Sequence, residues 1–376
     1  MHVAVITTTR ADWGLLSPIA SELQKRGCKV SIIAANMHFV KELGLTSREI
    51  ESDGFPIAVS ILPGNTPAET SALTLSGTAK AMKELRPDAA IILGDRYEAL
   101  AAAQGCALSN CPIVHIAGGA ISEGALDDSF RHAITKLSRL HLVETEEYRK
   151  RVIQMGECPD TVFNTGAIGL HNILSGPVMP LSELEKSLDF TLGDNCLLMT
   201  MHAATLSSVP PLTQLEALLG ALDDMTDYKA IITYPNNDVN PQPLIAAIEA
   251  FALRHHQRIL AVPSLGMRRY VSVLHHAIAV VGNSSSGIVE APSAGIPTLD
   301  IGPRQKGRTK APSVVHCGDT QEEIMKGLKT ILSPDFRALA AKKVNPYYKP
   351  DTLNLICDAI LRFPFSSLPT KRFFNL

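Results

Sequence analysis

The stretch Val280-Val-Gly-Asn283-Ser284-Ser285-Ser286-Gly287-Ile-Val-Glu290 joins an apolar run to three hydroxyl residues and a carboxylate. Read as a strand running into a helix, it offers backbone N–H groups and a positive dipole end, the arrangement that holds a phosphate. Glu290, at the end of those turns, is placed to accept the two hydroxyls of a ribose. The same residues also fit a plain Ser N-cap with a capping-box carboxylate. Further on, Arg304-Gln-Lys306-Gly-Arg308-Thr-Lys310 sets four cations in seven residues without an acid. Such a mouth suits a pyrophosphate, although charge runs are commonly solvated loops. Its place directly after an apolar strand favours the first reading.

Acids gather in the other half of the chain. Leu93-Gly94-Asp95-Arg96 puts a carboxylate at a strand end, and Glu123, Asp127 and Asp128 follow the next strand within His115-Ile-Ala117-Gly118-Gly119-Ala120-Ile-Ser122-Glu123-Gly124-Ala-Leu-Asp127-Asp128-Ser-Phe-Arg131-His132. Crowded carboxylates can have their proton affinities pushed apart, as acid–base chemistry requires. Each also fits an N-cap or a loop-orienting role. His202, in Leu198-Met-Thr200-Met-His202-Ala, ends another strand and can donate to a phosphate or carry a proton near neutral pH. The pairs His255-His256 and His275-His276 lack metal-ligand spacing. No H-E-x-x-H, G-x-S-x-G or Walker A pattern occurs, and the first strand leads into Thr7-Thr-Thr-Arg10-Ala-Asp12-Trp-Gly14 where a dinucleotide fold would place G-x-G-x-x-G. No metal or other cofactor is expected.

Elements must carry these groups to one place. Val3–Thr7, Lys29–Ala35, Ala89–Leu93, Ile113–Ala117 and Leu140–Val143 read as strands of a first half. Cys196–Met201, Ala230–Tyr234, Arg258–Val262, Ile278–Gly282 and Thr298–Ile301 read as strands of a second. Amphipathic segments lie between them, among them Trp13–Arg26, Ala68–Arg86, Arg96–Leu108, Asp127–Leu137, Gln214–Asp224 and Leu244–His255. Continuous apolar strands separated by helices predict parallel sheets covered on both faces, hence two doubly wound α/β domains. Ligands of such sheets bind beyond the carboxyl ends of the strands, where the candidate residues fall. The irregular Gly/Pro-containing segment 168–195 marks the connection. The expected domains are 1–170 and 171–352, with a helix in about 353–376 returning to the first.

The 376 residues suit two domains by length. With 35 Lys and Arg against 37 Asp and Glu, the formal net charge is −2, which excludes the basic field of a non-specific nucleic-acid binder. No apolar stretch approaches the ~20 residues of a membrane span, and the N-terminus lacks the basic region of a signal peptide. The seven scattered cysteines form no C-x-x-C pair and read as reduced thiols. A cytoplasmic protein without membrane or nucleic-acid partners is expected.

Taken together, the motifs resemble the hydrolysing branch of the UDP-N-acetylglucosamine 2-epimerase family, over almost the whole chain. The carriers are Thr9-Arg10-Ala-Asp12, Gly94-Asp95-Arg96-Tyr-Glu98, His115-Ile-Ala-Gly-Gly119, Asp127-Asp128-Ser-Phe-Arg131-His132-Ala-Ile-Thr-Lys136, Tyr234-Pro-Asn236, Gly282 through Glu290, and Gly302-Pro-Arg304-Gln-Lys-Gly-Arg308. The resemblance implies a GT-B fold, two Rossmann-like doubly wound parallel-sheet domains with a cleft between them. It implies conversion of UDP-N-acetylglucosamine and water to N-acetylmannosamine and UDP, through elimination to a 2-acetamidoglucal and then hydration. That activity belongs to nonulosonic, sialic-type acid biosynthesis. Family positions for phosphate match Ser284, Ser285 and Arg304, with Ser286 and Gly287 in the same turn, and Glu290 matches the ribose ligand. Arg10, Arg96, Asn236, His202 and Arg308 fall at further substrate positions. Asp95 and Asp127 match catalytic acids, and His202 matches a histidine that is catalytic or phosphate-directed. A homodimer or homotetramer is expected by the same likeness.

The chain departs from the family at Ala117 and Ala120, since many relatives carry an acid at one or the other of these places and both are alanine here. The loop Ser122-Glu123-Gly124-Ala125 is longer than in some sialic-acid enzymes, and Glu123 is the candidate for a third carboxylate. Such loops are similar to those of members acting on bacillosamine-type sugars, so a UDP- or GDP-linked N,N'-diacetylbacillosamine is the alternative substrate. A GT-B glycosyltransferase and a non-catalytic nucleotide-sugar binder are more distant readings.

Overall fold

The computed structural model describes residues 1–41, 44–236, 240–367 and 370–376. The chain divides into two compact units, one made of Met1–Ala120, Asp127–Ile168 and Lys349–Leu376, the other of Ile121–Leu126 and Gly169–Tyr348.

In the first unit, β1 (His2–Thr7), β2 (Lys29–Ala35), β3 (Ile57–Ile61), β4 (Ala89–Leu93), β5 (Ile113–Ile116), β6 (Leu140–Val143) and β7 (Val162–Asn164) form a sheet in the order β3-β2-β1-β4-β5-β6-β7. All its pairings are parallel. The order turns at β1, and the helices that open after β1 and β4, Arg10–Lys25 and Tyr97–Leu108, start at the carboxyl ends of those strands. Val3, Val5, Trp13, Leu16, Ile19, Leu23, Ile32, Ile91 and Val114 fill one side of the sheet. The helix Thr352–Arg362 packs Ile356, Cys357 and Ile360 into that same cluster. Burying such side chains is worth about 1.5–3 kcal/mol each, which explains why a C-terminal helix completes the first unit. The terminal residues are fastened too. Lys371 Nζ donates to the carbonyls of Lys136 and Ser138, each at 2.7 Å, and the Phe374 amide donates to the Gly156 carbonyl at 2.9 Å.

In the second unit, β8 (Cys196–Thr200), β9 (Lys229–Thr233), β10 (Ile259–Val262), β11 (Ala279–Gly282), β12 (Thr298–Ile301) and β13 (Val314–Cys317) run parallel in the order β10-β9-β8-β11-β12-β13. The reversal falls between β8 and β11, the place where ligands settle in doubly wound sheets.

Three short strands lie outside the sequence expectation: β3, β7 and β13. Each is an edge of its sheet, and their partly exposed residues lack a continuous apolar run. The expected strand Ile113–Ala117 stops at Ile116, because Ala117 takes the left-handed conformation with φ +66°. A non-glycine residue held there costs about 1–2 kcal/mol. Residues 121–126, which lie in sequence between two segments of the first unit, are grouped with the second unit. Among the described residues no helix is long and apolar enough to cross a membrane. The seven cysteines are free thiols, five of them buried.

Candidate active site

In the first unit, the candidate acids gather at the ends of β4 and β5. His115 on β5 is wholly buried, and its Nε2 lies 2.8 Å from the carbonyl of Gly94. A carbonyl only accepts, so Nε2 carries the proton and Nδ1 accepts from the Thr135 hydroxyl at 3.1 Å. Burial pushes the imidazole down to about 3, so it stays neutral and pins the turn that carries Asp95. Gly118 must lack a side chain here, since a Cβ would stand 2.9 Å from His115 Nδ1.

Arg131, on the helix Asp127–Leu137, then gathers the acids. Its side chain is 1% exposed, yet Nε meets Asp95 Oδ2 at 3.0 Å and Nη1 meets Asp128 Oδ1 at 3.1 Å and the Ala120 carbonyl at 2.8 Å. Asp95 and Asp128 keep 24% and 27% of their side chains exposed. A buried guanidinium is tolerated because its fork is matched on several sides. Asp127 opens the helix beside Asp128, where the first turn favours carboxylates. His132 reaches Asp128 at 3.4 Å, and burial, opposed by Asp128, holds its imidazole below the ordinary range.

Two expected binding cations occupy ion pairs within this unit. Arg10 begins the helix that Thr9 and Asp12 cap as a capping box, and it pairs with Glu49 at 2.9 Å. Arg96 pairs with the buried Glu98 at 3.1 Å. Burial pushes the neighbouring Tyr97 phenol up to about 12.

The second unit holds a more tightly organised constellation. Gly282 ends β11 with φ +132°, and a Cβ there would fall 2.0 Å from the Thr200 carbonyl oxygen of β8. Only glycine allows this approach, which brings Asn283 onto His202. Asn283 Oδ1 accepts from the His202 amide at 2.7 Å and Nδ2 donates to the His202 carbonyl at 2.9 Å. The carbonyl of Asn283 in turn accepts from Arg304 Nη1 at 3.1 Å and Gln305 Nε2 at 2.9 Å. The backbone N–H of Asn236 donates to His202 Nδ1 at 3.0 Å, so in the neutral ring the proton sits on Nε2. His202, Asn236 and Arg304 thus share one network around Asn283. The backbone N–H of Arg308 donates to the Gln305 carbonyl at 3.2 Å, fixing the same basic loop.

Ser284 is the N-cap of Ser285–Val289, accepting from the Ser286 amide at 3.4 Å. That helix spans five residues, so its dipole is small; an anion here would depend on nearby N–H groups and cations. Gly287 is buried, its carbonyl accepting from Thr298 Oγ1 at 2.7 Å. Glu290 does not close a capping box; it accepts from the Ser286 hydroxyl, and that hydroxyl also meets Tyr270. Burial pushes the Glu290 carboxyl up, while Ser286 opposes that shift.

Glu123 belongs to the second unit. Its carboxylate lies 2.8 Å from Lys306 Nζ and its amide donates to the Lys306 carbonyl at 3.0 Å. The Leu206 amide donates to the Gly124 carbonyl at 3.2 Å, so the loop is stitched to two segments distant in sequence. Lys310 is anchored by the buried Asp300 at 3.0 Å. Among the described residues no group of three or more His, Cys, Asp or Glu side chains can hold a metal ion.

Arg131, Asn283 and Tyr270 were not among the expected site residues. Arg131 had a signal in its helical spacing from Asp127 and Asp128, and Asn283 in its place at a strand end. Tyr270 had none, because its partner lies across a strand.

Residues 21–361 match the family model described as UDP-N-acetylglucosamine 2-epimerase. A Campylobacter jejuni protein named GDP/UDP-N,N'-diacetylbacillosamine 2-epimerase (hydrolyzing) is 35% identical over 320 residues, 83% of each chain. The Escherichia coli polysialic acid biosynthesis protein P7 is 31% identical, covering 93% of this chain and 91% of its own. A crystal structure of a Neisseria meningitidis UDP-GlcNAc 2-epimerase bound to UDP-GlcNAc superposes with a TM-score of 0.80, covering 96% of this chain and all of that one. At 16% identity that likeness speaks for the shared GT-B fold alone. The extent of the match, together with sequence identity above 30% across most of the length, makes this chain a member of the UDP-N-acetylglucosamine 2-epimerase family.

Proposed function

We propose that this protein is a hydrolysing nucleotide-sugar 2-epimerase that converts UDP-N-acetylglucosamine and water to N-acetylmannosamine and UDP. The observation that carries the reading is the Asn283-centred network, which fixes His202 and Arg304 beside the Ser284–Glu290 turn. A pyrophosphate taken there by Arg304, Arg308, His202 Nε2–H and the Ser284–Gly287 backbone is stabilised as it leaves. Deprotonation is the demanding part, because the C2 proton is only weakly acidic, so the stabilised departure of UDP must draw the elimination. The first bond to break is assisted by a carboxylate of the Asp95–Asp127 group, which takes the C2 proton as the C1–O bond to UDP cleaves. The resulting 2-acetamidoglucal then gains hydroxide at C1 and a proton at C2 from the opposite face. Atoms balance: one water enters, and UDP leaves with the bond's electron pair. Proton transfer by positioned groups contributes roughly 10²–10⁴-fold, and charge stabilisation of the leaving group comparable factors. Glu123 supplies the third carboxylate in place of the acid that relatives carry at the position of Ala117 or of Ala120.

A second sugar is favoured by a specific observation: the 35% identical relative is named for N,N'-diacetylbacillosamine. Both substrates carry the 2-acetamido group and an abstractable C2 proton, so the same residues serve either. Incubation with UDP-N-acetylglucosamine and with UDP- and GDP-N,N'-diacetylbacillosamine separates them. Release of nucleoside diphosphate and a 2-epimerised sugar is expected from UDP-N-acetylglucosamine. Turnover of the diacetyl substrate alone would move the assignment to it, and a requirement for an acceptor sugar would replace hydrolysis with glycosyl transfer.

A further inference from the structure

We propose that Tyr270 positions Glu290 for the ribose of the bound nucleotide, acting through the hydroxyl of Ser286. The inference rests on the reading of Glu290 as the ribose ligand. The helix Gly266–His276 carries Tyr270 to Ser286, and the Ser286 hydroxyl continues to Glu290 Oε2. Donor directions in this chain are fixed by chemistry. Ser286 has one proton and gives it to the carboxylate, so the phenol must be the donor to Ser286 Oγ. Burial and the nearby Glu290 charge push the phenol's proton affinity up, which keeps it a donor at any ordinary pH. The chain ends on Oε2 and keeps Oε1 for another donor, as a ribose hydroxyl is. A carboxylate otherwise able to turn about its last two bonds is held in one orientation, and the ordering is complete before the nucleotide arrives. Ser286 is thereby a positioning residue, its hydroxyl engaged with Glu290 and Tyr270.

The test measures binding of UDP and of 2',3'-dideoxy-UDP by calorimetry, with GDP and its dideoxy analogue substituted if guanine binds tighter. Wild type should prefer the ribose form by about 10-fold or more, the worth of a charge-assisted hydrogen bond. Tyr270→Phe and Ser286→Ala should each cut that ratio about 3-fold or more. The double variant should lose no more than the worse single one, as residues in one chain do. A Tyr270→Phe protein that binds both analogues more weakly by the same factor would overturn the positioning role and leave the ribose reading intact. A wild type that binds both analogues alike would overturn the ribose reading and the proposal with it.

Discussion

The side chain of Asn283 grips the backbone of His202 at both polar groups, accepting from its amide at 2.7 Å and donating to its carbonyl at 2.9 Å. A carboxamide does both, whereas an ionised carboxylate only accepts. Asn283→Asp keeps the acceptor but turns a second carboxylate oxygen toward the His202 carbonyl, and it sets a charge in a buried site. A misplaced anion-binding group costs about 10²-fold, so kcat/KM should fall by that order. Steady-state kinetics check this; a wild-type kcat/KM would remove Asn283 from the account.

Arg131 joins Asp95 to Asp128 from within the core. Arg131→Met leaves the two carboxylates facing each other around an apolar side chain. Because both acids retain water contact, the stability loss should fall at the low end for a broken buried pair, about 3 kcal/mol. Urea denaturation measures it. Arg131→Lys keeps the charge but not the fork, and should lose activity with a smaller loss of stability.

The acids themselves separate by kinetics. Asp95→Asn and Asp127→Asn should each lower kcat by about 10²–10⁴-fold with lesser effect on KM. Glu123→Gln should also lose activity, because it removes both the third carboxylate and the Lys306 pair. Full activity in Glu123→Gln alongside inactive Asp95→Asn and Asp127→Asn would strike Glu123 from the catalytic group.

Glu157 predicts an acid limb of stability. Its side chain is 2% exposed, and although burial pushes the carboxyl up, hydrogen bonds from His141, Lys136 and Lys371 bring it down to about 2. A depressed carboxyl stabilises the fold above its unfolded value, near 4.5, and loses that contribution as pH falls toward about 2. Glu157→Gln should therefore lower stability at pH 7 and flatten its dependence between pH 4.5 and 2. An unaltered slope in chemical denaturation over that window would contradict the assignment.

His115 acts over a higher window, with the opposite reason. It stays neutral in the fold, whereas the unfolded imidazole takes a proton near 6.5, so stability falls as pH drops from 6.5 toward 3. His115→Gln removes that titration. Comparing its denaturation midpoints with wild type at pH 7 and pH 5 should show a smaller acid-induced drop in the variant.

The central strands, and the placement of Asp95 and Asn283 at strand ends, were legible in the sequence because parallel sheets bury both faces. Val3–Val5, Ile32–Ala35, Ala89–Leu93 and Ile278–Val281 are continuous apolar runs, and Gly94-Asp95 and Gly282-Asn283 directly follow the last two. Edge strands such as β3 were not, because Ile57-Ala-Val-Ser-Ile alternates and is half exposed. The loop 121–126 gave no sign of joining the second unit, since the bonds from Glu123 to Lys306 and from Leu206 to Gly124 connect residues far apart in the chain. Nor could the left-handed Ala117 be read, because alanine carries no preference for that conformation. The engagement of Arg10 with Glu49 and of Arg96 with Glu98 likewise depends on side-chain neighbours that spacing does not reveal.

Elimination followed by hydration exchanges the C2 proton with solvent, so proton NMR of UDP-N-acetylglucosamine turned over in D₂O distinguishes it from direct hydrolysis. Free UDP should appear together with N-acetylmannosamine whose C2 proton signal is lost to deuterium. UDP released with an uninverted sugar that keeps its C2 proton would contradict it.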